Sequence, residues 1–254
     1  MTKTYTQRHP FISVILVALI CTFITALGSA IPQIMELEEN PQILVTTGFL
    51  VISVIVGIVI MKKSRYAVSE FGIRRSEKGS ARKVGWYLPL VAMEILPIIV
   101  FGFSPEVMIQ QYIILLIFTI AVGFNEEIYF RGLARKFMEE KGRKKAILWS
   151  SIVFGTHHMV NVLNNKTNLY VVLQVFFAFL VGFVLAEIVF ITKSLWIVIL
   201  WHAAHDYISS ITGDSLDTKA LIVLAIQVVI LLTYAVCIWK QSTEETLVTP
   251  ITNN

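Results

Sequence analysis

The sequence contains little charge for its length. Only 15% of its 254 residues are Asp, Glu, Lys or Arg, whereas 56% are hydrophobic, and the mean hydropathy is +0.74. Because soluble globular domains carry about 25% charged residues, this composition excludes a soluble globule. The two cysteines, Cys21 and Cys237, do not form the paired framework of a disulfide-stapled protein. The sequence therefore predicts an integral membrane protein.

Long hydrophobic runs, separated by short polar loops, account for this composition. A helix of about 20 apolar residues crosses the hydrocarbon layer of a bilayer. Runs that reach or approach this length cover residues 11–31, 43–61, 86–103, 111–130, 146–163, 169–191, 195–211 and 219–239. They predict an all-α fold, in which residues 1–254 form a single transmembrane domain, a polytopic bundle of about eight helices.

Basic residues are concentrated in alternate loops. Lys and Arg in short loops are retained on the cytoplasmic side of a membrane. If the N-terminus is cytoplasmic, all of the 21 basic residues except Lys166 and Lys219 fall on that side. We therefore predict cytoplasmic N- and C-termini and contacts between basic loops and anionic membrane lipid, with no need for nucleic-acid binding. The compact build without a transit segment favours a bacterial plasma membrane.

Titratable residues interrupt three of the hydrophobic runs. Such groups are costly in hydrocarbon, so three polar clusters on three helices are most simply explained by one buried active site. The clusters are Asn125-Glu126-Glu127, His157-His158 and His202-Ala203-Ala204-His205-Asp206.

The first cluster offers two carboxylates with different surroundings. On a helix, Glu127 and Arg131 lie on the same face, whereas Glu126 points about 100° away. Arg131 can then hold Glu127 as an ionised structural partner, which leaves Glu126 to project into the bundle as a general base. The alternative is an interfacial salt-bridge network at the end of a helix.

The histidine clusters also allow a structural and a catalytic interpretation. His158 lies one turn beyond Phe154, and only one of His157 and His158 can face a given neighbour. His202 and Asp206 share a helical face, where a carboxylate can fix a histidine tautomer or share a metal or water. The alternatives are a satisfied interhelical hydrogen bond and a structural pair in a transporter.

Taken in order, the motifs are Glu-Glu-x-x-x-Arg, Phe-x-x-x-His and His-x-x-x-Asp. This order on late membrane spans resembles the CAAX-processing and bacteriocin-processing (CPBP, or Abi) family of intramembrane proteases, which includes the type II CAAX prenyl endopeptidases. The resemblance covers a protease core at about residues 110–210. It implies an endopeptidase that hydrolyses peptide bonds of membrane-associated peptides or proteins with an activated water.

The resemblance also implies roles for individual residues. It assigns catalysis to Glu126, His158, His202 and Asp206, and ordering of the site to Glu127, Arg131 and Phe154. Glu126 would be the general base, with His158 beside it. Two alternatives stay open for the water: activation by Glu126 and His158 alone, or a metalloprotease in which His158, His202 and Glu126 hold a zinc ion.

Other functions and locations follow from the same residues. A secondary transporter would also bury Glu and His, although the sequence lacks the paired broken helices of such proteins. A non-catalytic bacteriocin-immunity or scaffold factor would keep the fold and tolerate a damaged site. We expect a cavity that opens to the cytoplasmic side, lined also by Glu187. Glu94, in the third span, is predicted either to pair within the bundle or to line the substrate path.

Overall fold

A computed structural model of the chain describes residues 4–164, 167–212 and 217–248. Within these ranges the protein is helical and has no strands. Its α-helices are α1 (Tyr5–Arg8), α2 (Pro10–Ile34), α3 (Glu39–Lys63), α4 (Ser80–Lys83), α5 (Leu88–Phe101), α6 (Ile109–Glu126), α7 (Arg135–Met138), α8 (Arg143–His157), α9 (Asn168–Thr192), α10 (Trp196–Thr212) and α11 (Thr218–Val248). A π-helical segment, Glu127–Ala134, joins α6 to α7. Short 3-10 helices cover Val68–Phe71, Gly85–Tyr87, Glu139–Lys141 and His158–Asn164.

The lengths of the apolar helices confirm an all-α membrane protein. Helices long and apolar enough to cross a membrane are Pro10–Ile34, Glu39–Lys63, Ile109–Lys141, Asn168–Thr192 and Thr218–Lys240. The apolar stretch Gly85–Phe101 is shorter, and α8 and α10 have only 15 and 17 residues. Eight spans and cytoplasmic termini therefore stay predictions. Lys166 and residues 249–254 lie outside the described part of the chain.

The helix that carries the first motif is longer than predicted. The predicted span 111–130 leaves Arg131 and Arg135 in a cytoplasmic loop, but the helix continues through the π-helical segment into α7. Both side chains are buried, with 0% and 4% exposure, so their assignment to a loop was wrong. Partners inside the protein explain their burial, because Arg131 pairs with Glu127 and Arg135 Nε donates to the Arg131 carbonyl at 2.6 Å.

A central position of α6 brings the polar clusters together. α6 packs against α3 and α10, and the π-helical segment packs against α2 and α8. Gly123 permits the close approach of α6 to α10, because a Cβ atom at this position would lie 2.8 Å from the Ile199 carbonyl oxygen. Gly155 similarly permits the close approach of α8 to α9, because an added Cβ would lie 3.0 Å from the Val175 carbonyl oxygen of α9.

The second motif lies where α8 changes its geometry. The α-helix ends at His157, and a 3-10 helix begins at His158, whereas the sequence predicts one helix over 146–163. Both histidines therefore lie at a helix junction inside the bundle.

Candidate active site

Glu127 joins the first and third motifs. Arg131 Nη1 lies 2.9 Å from Glu127 Oε1, and neither side chain is exposed. The same oxygen accepts a hydrogen bond from His202 Nδ1 at 2.7 Å. This bond directs the other ring nitrogen, Nε2, toward Glu126 and Asp206, each of which has an oxygen 3.6 Å away.

Phe154 packs between the cation and the histidines. The Arg131 guanidinium lies 3.8 Å from the centroid of the Phe154 ring, which is close enough for a cation–π interaction. The His158 and His202 rings meet the same phenyl ring edge-on, with centroids 4.9 and 5.8 Å away. Gly182 of α9 leaves room for this packing, because an added Cβ would lie 3.0 Å from Phe154. These contacts fit the ordering roles predicted for Glu127, Arg131 and Phe154.

Glu126 is held less tightly than Glu127. Its Oε1 lies 3.5 Å from His157 Nε2, and its Oε2 lies 3.6 Å from His202 Nε2. The side chain is buried, and Oε2 has no hydrogen-bond partner among the described residues. Polar atoms separated by more than about 3.5 Å are commonly bridged by water. Glu126 can therefore accept a proton from a water between it and the two imidazole rings.

The adjacent histidines lie on different sides of the site. His157 contacts Glu126 and has its Nδ1 2.7 Å from Thr22 Oγ1 of α2. His158 donates from Nδ1 to the Phe154 carbonyl at 3.0 Å, which leaves Nε2 as an acceptor. The sequence predicts that only one of them faces a given neighbour without deciding which, and the resemblance implies His158 beside Glu126. In the structure His157 makes the direct contact with Glu126.

A cavity of about 260 Å³ lies beside these groups. Of the predicted catalytic residues, His158, His202 and Asp206 line it, whereas Glu126 does not. Glu126 adjoins the cavity wall through His202, whose Nε2 lies 3.6 Å from Glu126 Oε2. From there the cavity extends to Thr212 and Ala220, at the last residues of α10 and the first residues of α11.

The direction of the cavity bears on the predicted opening. Thr212 and Ala220 lie at the end of α10 and the start of α11, which the loop charges assign to the outer side. The cytoplasmic opening is thus not confirmed and stays a prediction. Glu187 does not line this cavity but is fully buried in α9, which corrects the prediction that it forms part of the site. Its carboxylate interacts electrostatically with Arg143, the first residue of α8, which explains this position.

A family model matches the part of the chain that carries these motifs. Residues 108–208 match the family described as type II CAAX prenyl endopeptidase Rce1-like. The match covers less than half of the 254 residues. It runs from the residue before α6 into α10 and contains all three motifs, which confirms the resemblance predicted from their order. No curated protein and no solved structure matches the chain.

The Rce1-like segment meets one requirement of a metal site and not another. His158 and His202 both donate from Nδ1 to an oxygen, as metal-ligating histidines do, and both have Nε2 available. However, no group of three or more His, Cys, Asp or Glu side chains converges as ligands in the described ranges. Zinc binding by His158, His202 and Glu126 stays a prediction, and no step proposed below depends on it.

Residues outside the Rce1-like segment complete the site. Thr22 of α2 fixes His157, and nothing distinguishes this threonine from others in apolar runs. The charge of Glu94, in α5, makes this residue noticeable in the sequence, but the sequence does not identify its partner. In the structure Glu94 pairs with His205, which confirms the first alternative, and it also lines the cavity. A role in the substrate path stays a prediction.

Proposed function

We propose that the protein is an intramembrane endopeptidase that hydrolyses a peptide bond with a water activated by Glu126. The family of the Rce1-like segment supports a CAAX-type protease, a hydrolase whose substrate is a peptide or protein in the membrane. The observation that carries the proposal is the position of the buried Glu126 carboxylate, whose oxygens lie 3.5 Å from His157 Nε2 and 3.6 Å from His202 Nε2, distances that a water can bridge.

The first step is attack by water. Glu126 takes a proton from the water, and His158 Nε2, the available acceptor on the cavity wall, helps to orient it. The water oxygen forms a bond to the carbonyl carbon of the substrate, and the carbonyl becomes a tetrahedral oxyanion.

The second step is collapse of this intermediate. His202, when its ring carries both protons, donates from Nε2 to the oxyanion, and Asp206 at 3.6 Å stabilises the charged ring. Glu126 then gives its proton to the leaving amine nitrogen as the carbon–nitrogen bond breaks. Glu127 and Arg131 take no proton and hold His202 in position.

No observation at the site favours a transporter or a non-catalytic immunity or scaffold factor. All positions of the three motifs hold residues that can perform their proposed roles. We also propose a bacterial plasma membrane as the location and a site reached from its cytoplasmic side; only the second of these rests on the loop charges.

The test is peptide cleavage by the purified protein in detergent. A panel of fluorogenic leader and tail peptides is incubated with wild type, Glu126→Ala, His158→Ala and the control Glu106→Gln, which alters an exposed loop residue. We expect cleavage by wild type and by the control only. Cleavage that survives Glu126→Ala would overturn the proposed base, and a chelator added to each arm tests the zinc alternative.

A further inference from the structure

A second histidine–carboxylate pair, His205 with Glu94, lies about one turn along α10 from His202. His205 Nδ1 lies 3.0 and 3.2 Å from the two Glu94 carboxylate oxygens. Its ring is stacked on Trp201, with centroids 5.1 Å apart and an angle of 17°, and on Phe177 at 5.7 Å and 30°. Trp201 is itself fixed, because Nε1 donates to the Leu90 carbonyl at 3.1 Å. The pair is therefore rigid, although it belongs to none of the three motifs.

This pair shares the cavity with three of the four proposed catalytic residues. Glu94 and His205 line it together with His158, His202 and Asp206. Among the described residues of its wall, the carboxylates of Glu94 and Asp206 are present and no Lys or Arg is. An ionised carboxylate only accepts hydrogen bonds, so a ligand at Glu94 must supply a donor.

The position of the pair defines its distance from the scissile bond. His202 and His205 are three residues apart on one helix, so their Cβ atoms are separated by about 5–6 Å. An extended peptide advances about 3.3–3.6 Å per residue. A substrate whose scissile carbonyl contacts His202 thus places a side chain within about two residues of that bond beside Glu94 and His205.

We propose that Glu94 and His205 form a specificity subsite for a substrate side chain that donates N–H hydrogen bonds, either an amide or an ammonium group. The inference rests on the proposed function. An aliphatic side chain at this point would strip water from a buried polar pair without replacing its hydrogen bonds, which discriminates strongly against such a substrate. An acidic side chain would meet the like charges of Glu94 and Asp206.

The test compares substrates and not only activities. Peptides identical except for Gln, Lys, Leu or Asp at each of the two positions on either side of the scissile bond are cleaved by wild type, and kcat/KM is measured for each. At one of these positions we expect Gln or Lys to exceed Leu by about tenfold or more, with Asp lowest.

Two variants separate a subsite from a structural pair. The double variant Glu94→Leu/His205→Phe replaces the buried pair by apolar side chains, a change that buried pairs commonly tolerate. It should reduce the ratio of kcat/KM for the Gln or Lys peptide to kcat/KM for the Leu peptide to about one, or reverse the preference. Glu94→Gln retains a hydrogen-bond acceptor for His205 but removes the charge. It should therefore retain the preference for Gln over Leu. If the ligand is an ammonium group, it should lose the preference for Lys over Leu.

The outcomes distinguish this inference from the proposed function. Equal cleavage of Gln, Lys and Leu peptides by wild type would overturn the subsite, and so would a preference that is unchanged in both variants. Absence of Glu126-dependent cleavage of every peptide would overturn the proposed function and the subsite with it.

Discussion

The two sides of the candidate site are held in different ways. On the supporting side, Glu127 and Arg131 are fully buried and lie 2.9 Å apart, and Glu127 binds His202 at 2.7 Å. On the reactive side, formed by Glu126 and its histidine neighbours, the contacts of Glu126 with His157 and His202 are 3.5 and 3.6 Å long. Adjacent residues in the chain thus have opposite surroundings.

This difference suggests a division of tasks. A reactive group needs free lone pairs, whereas the residues behind it must be locked by packing and hydrogen bonds. The supporting side meets the second requirement through Arg131, Phe154 and Glu127. The reactive side meets the first, because the contacts of Glu126 with His157 and His202 are no shorter than 3.5 Å. Changes on the supporting side should therefore affect stability first, and changes on the reactive side should affect activity first.

Removing the buried cation should have the largest effect on stability. Arg131→Met leaves the Glu127 carboxylate buried without its cation, which costs about 3–5 kcal/mol of the free energy of unfolding. Thermal stability in detergent measures the loss, and Arg82→Met, at an exposed position, is the matched control. Equal stability of the two variants would show that the supporting side is not held by this pair.

Separating α6 from α10 should have a smaller effect on stability and a clear effect on activity. In Gly123→Ala the new Cβ meets the Ile199 carbonyl oxygen at 2.8 Å, so the helices must move apart, at about 1–3 kcal/mol. The Glu127–His202 hydrogen bond then lengthens. We expect lower kcat with little change in KM. Gly48→Ala serves as control, since no atom lies within 4 Å of its added Cβ.

Loosening the reactive side should cost still less stability. Thr22→Val removes the hydroxyl group that lies 2.7 Å from His157 Nδ1, a loss of about 1 kcal/mol. Because His157 is then free to reorient beside Glu126, the pH dependence of cleavage should change more than the melting temperature does. A pH profile identical to that of wild type would mean that His157 does not act through Glu126.

A pair outside the site should have the smallest effect. Glu70 lies 3.1 Å from Lys136, and its pKa is lowered by the backbone N–H of Ala67 and by Lys136. Glu70→Gln should cost about 1 kcal/mol or less, because the pair is partly exposed. Since the folded protein lowers this pKa, the stabilisation is present at neutral pH and is lost as the pH falls through the ordinary range of Glu. Melting temperatures at neutral and acidic pH check this.

The sequence predicts the local part of the site well. The pairing of Glu127 with Arg131 follows from a spacing of four residues on one helix, and the structure has it. The family of residues 108–208 was recognisable because the order of three motifs is independent of how the helices pack.

Contacts between distant helices could not be predicted in this way. The bond between Glu127 and His202 depends on the close approach at Gly123, and the burial of Arg131 and Arg135 depends on a helix that continues past the predicted span. Charged residues near a predicted helix end look the same in a sequence whether lipid headgroups or protein partners surround them. For the same reason Glu187 was misplaced in the cavity.

The central claim is tested most directly by Glu126→Gln and Glu127→Gln measured side by side for peptide cleavage and thermal stability. The account predicts that Glu126→Gln abolishes cleavage and melts at or near the wild-type temperature, because Glu126 makes only long contacts. Glu127→Gln should melt well below wild type, because Arg131 and His202 lose their shared anion. The reverse result, with Glu126→Gln unstable and Glu127→Gln stable but inactive, would contradict the division of tasks and make Glu127 the candidate base.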